Sequence, residues 1–209
     1  MSQRISLKDA ERRVFQSTFA DGLWDVFLGC WFPLQLAIAP LLSRSMGDFW
    51  SSAVFLPFWG AVYLVIWGVR KKVIAPRVGV VEFGPVRKNR LKKFSVALLI
   101  VNVIAFILGI IAALRFRSLP VGGPPIALGL VLLVGFSSAA YFLDFPRLYI
   151  YGLLGALAPL VGEWLFQNMG ASHHGFPIVF GTLAGVMILT GLVTFARFLL
   201  NNPLPAGDM

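Results

Sequence analysis

Six apolar stretches, each 18 to 21 residues long, dominate this chain of 209 residues. A helix needs about 20 apolar residues to cross the hydrocarbon core of a bilayer, because each residue rises about 1.5 Å and the core is about 30 Å thick. The pattern therefore predicts an all-α membrane protein with six transmembrane helices. The predicted spans are residues 22–42, 49–69, 94–114, 126–143, 148–166 and 176–196.

The basic residues are sorted to one side of these spans. If the N-terminus is cytoplasmic, 15 of the 18 Lys and Arg residues flank the cytoplasmic ends, and only Arg44, Arg115 and Arg117 lie outside. Cytoplasmic flanks carry such an excess, so we expect a plasma-membrane protein with both termini in the cytoplasm. Topology accounts for the net charge of +9, which therefore indicates no nucleic-acid partner. We expect the excess of basic residues at the cytoplasmic ends to attract anionic lipids of the inner leaflet.

Three cytoplasmic segments accompany the transmembrane domain of residues 22–200. Residues 1–21 carry an apolar stripe opposite basic residues, which predicts a short amphipathic helix on the membrane surface, with a solvated tail as the alternative. Residues 70–93 form a basic loop, in which the β-branched stretch 73–83 predicts a short strand or hairpin. The end of this loop is expected to extend the third transmembrane helix. Residues 201–209 form the C-terminal tail.

Some aromatic and amide residues lie deep within the predicted spans. Trp31 and Trp59 are expected to pack in the interior of the bundle. Gln35, in the middle of the first span, and Asn102, in the inner half of the third, can hydrogen-bond to neighbouring helices. The alternative for the two amides is a polar pathway through the membrane.

Charged residues gather near the predicted cytoplasmic ends of the spans. Asp21 and Asp25 are four residues apart and so share a helix face. Asp144, Arg147 and Arg197 lie at a similar depth on other spans. We expect a cluster of ion pairs that stabilises the bundle. A cation or proton entry site on the two aspartates is the alternative.

Glu163 is the most informative single residue for function. It lies about one turn from the outer end of the fifth span, and His173 and His174 follow in the next loop. The three side chains could form a proton or substrate site, since a carboxylate and an imidazole exchange protons readily. The plain alternative is an ion pair with Arg44, Arg115 or Arg117, or a solvated glutamate, and a divalent metal site is the third option. Adjacent histidines point apart in regular structure, so we expect no metal, and no motif indicates a cofactor.

Two pairs of small residues are spaced four apart on helices, which allows close helix contact. Gly152 and Ala156 lie in the fifth span, and Gly181 and Gly185 lie in the sixth. Each of these small-residue faces could serve close packing within the bundle or assembly between copies of the chain.

Three short patterns resemble those of a family of uncharacterised prokaryotic polytopic membrane proteins. They are Asp21-Gly-Leu-Trp-Asp25, the series Pro76, Arg77, Gly79, Val81 and Phe83, and a final Arg197-Phe198 followed by Pro203 and Pro205. The resemblance covers about thirty residues and implies a small prokaryotic membrane protein. It implies no activity.

The sequence is compatible with three classes of function. Transport of a small solute or ion, or a channel, fits best. A non-catalytic accessory or scaffold subunit of a larger membrane complex is the alternative, and the chain could also form a homo-oligomer. A membrane-embedded lipid enzyme fits least, because no catalytic set of residues is evident.

The topology can be tested by the accessibility of introduced cysteines in intact cells. We expect Arg90→Cys to be protected from a membrane-impermeant thiol reagent and His173→Cys to be labelled. Labelling at position 90, or protection at position 173, would contradict the predicted orientation.

Overall fold

The computed structural model describes residues 19–78, 85–115 and 123–203. All the regular structure in these residues is helical, in agreement with the predicted all-α class. The predicted N-terminal surface helix and most of the C-terminal tail lie outside the described residues.

The first predicted span is two helices rather than one. Helix α1 covers Leu23–Cys30 and helix α2 covers Phe32–Met46. The break falls at Trp31, whose ψ of −115° is not helical. Pro33 explains the position, because a proline has no N–H to donate to the carbonyl four residues back. Here that carbonyl belongs to Gly29, the penultimate residue of α1.

The second span is also interrupted and then runs on past its predicted end. Helix α3 covers Asp48–Ala53, helix α4 covers Phe55–Val69, a π-helix covers Arg70–Ile74, and helix α5 covers Ala75–Val78. The π-turn is closed by the N–H of Ala75, which donates to the carbonyl of Arg70 five residues back. Pro76 accounts for this local widening, since its ring would clash with the carbonyl four residues back in an α-helix.

The helical ending of this span corrects one prediction. A strand or hairpin was predicted over residues 73–83, but residues 73–78 are helical. β-Branched residues favour strands only where a neighbouring strand can pair with them, and here the preceding helix simply continues. Residues 79–84 lie outside the described part of the chain.

Four longer elements follow, with one short connecting turn. Helix α6 covers Pro85–Arg115, helix α7 covers Gly123–Leu143, helix α8 covers Arg147–Met169, a 3₁₀ turn covers Ser172–Gly175, and helix α9 covers Phe176–Asn201. The basic run before residue 94 does extend the third helix, as predicted. Six helical segments are long and apolar enough to cross a membrane, as expected for a multi-pass membrane protein.

The chain divides into two compact units. The first comprises Met1–Glu82 with Ala184–Met209, and the second comprises Phe83–Leu183. In the first unit, α1 packs closely on the second half of α9. A Cβ added to Gly29 would lie 2.8 Å from the Ile188 side chain and 3.1 Å from the Ala184 carbonyl oxygen. In the second unit, α7 packs on both α6 and α8.

The two mid-span tryptophans contact each other within the first unit. The Trp31 and Trp59 rings lie edge to face, with centroids 6.2 Å apart. Trp31 is nevertheless 39% exposed, so its predicted place in the interior is wrong. The break in the first span accounts for this, because Trp31 stands at the end of one helix rather than within a continuous packed face.

The small-residue face of α8 packs within the second unit. A Cβ added to Gly152 would lie 2.8 Å from the Phe136 Cβ of α7, and one added to Gly129 would lie 2.5 Å from the Ala156 carbonyl oxygen. In contrast, no described atom lies within 4 Å of the Cβ position of Gly185. Gly152 and Ala156 therefore serve packing inside the bundle, whereas Gly185 faces open space.

This difference predicts opposite effects of the same substitution. Gly129→Ala should lower the thermal stability in detergent by about 1–3 kcal/mol, because the new methyl group must push α7 and α8 apart. Gly185→Ala is the matched control, and it should be neutral or stabilise by up to about 1 kcal/mol through helix propensity. Equal unfolding temperatures for the two variants would contradict the close packing of α7 on α8.

Candidate functional site

Glu163 lies near the end of α8 with both carboxylate oxygens engaged. Its Oε2 is 2.9 Å from the Nδ1 of His174, and its Oε1 accepts a hydrogen bond of 2.8 Å from the Nε2 of Gln167. The Glu163 side chain is 13% exposed, whereas that of His174 is 57% exposed. The carboxylate is thus largely covered, and the imidazole connects it to the surroundings of the protein.

An unusual turn positions His174 against Glu163. Helix α8 ends at Met169 and is capped by Gly170. His173, His174 and Gly175 then follow with φ angles of 52°, 53° and 65°. Left-handed backbone is uncommon for residues other than glycine and costs about 1–3 kcal/mol where it occurs. Such conformations persist only when the surrounding structure imposes them, and they are frequent at functional sites.

The surrounding contacts show what imposes the turn. A Cβ added to Gly162 would lie 2.7 Å from the His174 carbonyl oxygen, and one added to Gly175 would lie 2.5 Å from the Gly162 carbonyl oxygen. The backbone of the turn therefore rests directly on α8. The Phe166 ring also packs on the His174 imidazole, with centroids 4.4 Å apart. Backbone contacts thus hold the turn that carries His174, and the Phe166 ring holds its imidazole.

Proton exchange is the chemistry that this arrangement allows. Imidazole is the side chain that ordinarily gains or loses a proton between about pH 5 and 8, and a carboxylate in contact with it can share that proton. His173 makes no hydrogen bond or ion pair with Glu163 within the described residues. No group of three or more His, Cys, Asp and Glu residues there could hold a metal ion.

The outer arginines play no described part at this site. The partners found for Glu163 are Gln167 and His174. The side chains of Arg115 and Arg117, which the sequence offered as ion-pair partners, lie outside the described residues.

The two mid-span amides are separate from this pair. Gln35 is half-buried just after the break in the first span, and its backbone N–H donates to the Trp31 carbonyl at 3.3 Å. Asn102 is exposed on α6, and its amide donates to the carbonyl of Leu98 on the same helix at 2.8 Å. The predicted hydrogen bond between helices is therefore not made by Asn102 among the described residues.

Arginines of the basic loop pair with aspartates at the helix ends that the sequence assigns to the cytoplasm. Arg70, at the start of the π-helix, pairs with Asp21 at 2.6 Å. Arg90 of α6 holds Asp144 through both carboxylate oxygens, at 2.7 and 3.2 Å, and also donates to the Tyr141 carbonyl. Each pair lies within one unit. The sequence predicts both aspartates in one cluster with Arg147 and Arg197, and the structure adds Arg70 and Arg90 of the basic loop as partners.

The remaining members of the predicted cluster differ in burial. Asp25 is completely buried in α1. The guanidinium of Arg147 lies 5.1 Å from the centre of the Phe145 ring, and Arg197 is exposed near the end of α9. Asp21 has a second role, because its Oδ1 accepts a hydrogen bond of 3.0 Å from the N–H of Leu23 at the start of α1.

An apolar hollow of about 620 Å³ lies in the first unit. Its lining consists of Met46, Trp50, Ala53, Val54 and Pro57. None of these side chains is charged, so the hollow offers no proton-exchanging group to a solute. The titratable pair of Glu163 and His174 is therefore the stronger candidate.

Two residues that were not predicted from the sequence complete this candidate site. Gln167 follows Glu163 by four residues, a spacing at which side chains on a helix meet, so it could have been found. Phe166 could not, because its contact with His174 depends on the left-handed turn.

Comparisons with known proteins add no family to this description. No protein-family model matches the chain, and neither curated proteins nor solved structures give a match.

The burial of Asp25 predicts a structural role that can be measured. Asp25→Asn should lower stability in detergent by about 1–3 kcal/mol, because the amide cannot reproduce both oxygens of a carboxyl group in a fully buried site. Asp48→Asn is the control, since Asp48 is exposed at the start of α3 and should change stability by less than about 1 kcal/mol. An unchanged unfolding temperature for Asp25→Asn would contradict a structural role for Asp25.

Proposed function

We propose that this chain moves a small solute or ion across the membrane and that Glu163 and His174 form its proton-exchanging site. The observation that carries the proposal is the 2.9 Å contact between a largely covered carboxylate and an exposed imidazole at the end of a membrane-spanning helix. Ionisable residues within such helices are costly, and they commonly mark ion or solute pathways.

The broken helices of the first unit support the same proposal. Transporters often place discontinuous helices around their substrate sites, because the freed backbone groups can bind ions and polar groups. The break at Trp31, within the first predicted span, is a discontinuity of this kind. In the hydrocarbon region such backbone is tolerated only where protein or water covers it.

The accessory-subunit alternative is favoured by a different observation. None of the apolar residues in the window Asn89–Leu108 of α6 is buried. Among the described residues, this helix therefore leaves surface that another protein could cover. This role and transport are compatible if the complete transporter contains more than one chain.

Flux measurements on reconstituted protein would test the proposal. Liposomes with purified protein would be given a potassium gradient, and valinomycin would convert it into a membrane potential. An internal pH-sensitive dye would report proton movement, and Na⁺ and Cl⁻ movement would be followed separately. We expect a flux above that of empty liposomes, with a dependence on pH between about 5 and 8 that Glu163→Gln abolishes. Wild-type protein that moves none of these ions faster than empty liposomes would contradict the proposal for ions.

The two histidines provide a matched pair of variants. His174→Asn removes the imidazole that contacts Glu163, while His173→Asn removes its neighbour with the same backbone conformation. Asparagine tolerates left-handed backbone, so both variants should fold. We expect His174→Asn to alter the pH dependence of flux and His173→Asn to leave it as in the wild type. The same profile in both variants would remove the imidazole of His174 from the mechanism.

A further inference from the structure

We propose that a second copy of this chain packs against one side of α6, the Asn102 face, which comprises Ser95, Leu99, Asn102 and Phe106. The proposal concerns assembly and does not depend on the proposed transport activity.

Asn102 is placed where an unsatisfied amide is costly. The helix carries no charge from Phe94 to Leu114, and Asn102 lies about 12 Å along it from Phe94 by helix rise. Its one hydrogen bond to the described residues is the 2.8 Å bond from Nδ2 to the Leu98 carbonyl. Its carbonyl oxygen and second N–H are then left on an exposed surface in the apolar part of the span. Lipid tails cannot hydrogen-bond to them.

The two apolar residues of the Asn102 face are open. Leu99 is 64% exposed and Phe106 is 70% exposed. Within the second unit, α6 meets α7 through other residues. The Phe94 and Phe142 rings have centroids 6.0 Å apart, and Val101 lies 3.7 Å from the Cβ position of Gly135. The amide is therefore not directed into the contact between α6 and α7.

A second copy matches the chemistry of this face. An amide side chain both donates and accepts, so two asparagines related by a two-fold axis can satisfy each other. Copies inserted in the same orientation would place their α6 helices parallel, with Asn102 facing Asn102 of the second copy. A single asparagine at a core position is known to set the register of such parallel helix pairs.

The spacing along α6 fits this arrangement. Ser95, Asn102 and Gly109 are seven residues apart, which is the repeat that keeps one face of a helix against a parallel partner. Serine and glycine at these positions allow the two backbones to approach. A large residue there would hold the amides out of hydrogen-bonding reach.

Disulfide crosslinking in native membranes would test the face directly. In a Cys30→Ser background, Leu99→Cys and Phe106→Cys should give a disulfide-linked product of twice the mass of the chain under mild oxidation. Ile104→Cys and Ile111→Cys are the controls, because they are 50% and 46% exposed but lie on the opposite side of α6. They should crosslink at no more than the level of random collision. Two differently tagged copies would identify both halves of the product.

The role of the amide is tested by substitution at Asn102 itself. Asn102→Leu should weaken crosslinking at position 99 by about three- to tenfold, and Asn102→Gln should retain most of it. Thr182→Val is a control, since this exposed hydroxyl also donates to its own helix, at 2.7 Å to the Ile178 carbonyl. It should have no effect. If Asn102→Leu fails to fold, the crosslinking pattern in the Asn102 background still decides the proposal.

Three outcomes would overturn the inference. The first is equal crosslinking on both sides of α6, and the second is none at positions 99 and 106. The third is a product whose mass is not twice that of the chain, which would indicate a different membrane protein as the partner.

Discussion

The hydrocarbon core of the membrane offers no hydrogen bonds to a polypeptide backbone, and the rest of this structure depends on that constraint. Each span must satisfy its own N–H and carbonyl groups, which makes every regular element among the described residues a helix. The departures from regular helix are confined to a few places. Pro33 follows the break at Trp31 and Pro76 follows the π-turn at Arg70–Ile74, so a missing N–H accompanies both.

Ion pairs then organise the helix ends that the sequence assigns to the cytoplasm. Arg70 joins the helical extension of the second span to the start of the first, through Asp21, and its guanidinium also lies 5.1 Å from the centre of the Trp24 ring. Arg90 does the same between α6 and the end of α7, where it holds Asp144 in a left-handed conformation. These ion pairs are partly removed from water. A charge that lost its partner in such a place would be costly, so the pairs fix the relative positions of the helix ends that they join.

The titratable residues of the candidate site could be predicted from the sequence, but most of their contacts could not. Glu163 and the two histidines stand out because titratable residues are rare near that end of the spans. The choice of His174 over His173 was out of reach, since it depends on a left-handed turn that rests on Gly162. Asp21 and Asp144 were likewise recognised, but not their contacts with Arg70 and Arg90. A long flexible arginine can reach several carboxylates, and the folded helices decide which of them it meets.

The sequence by itself determined the helical class, the number and approximate bounds of the membrane-crossing segments, and the polar residues worth attention. Those features follow from hydrophobic length and from the cost of placing charge in hydrocarbon, which are local properties of the chain. Only the tertiary structure decided that Gly152 and Ala156 pack inside the bundle while Gly185 faces open space, and that residues 73–78 are helical. The physical reason is that apolar spans look alike along the sequence. Which of their faces meet is set by side-chain shape in three dimensions, where one methyl group or one hydrogen bond distinguishes two otherwise equivalent surfaces.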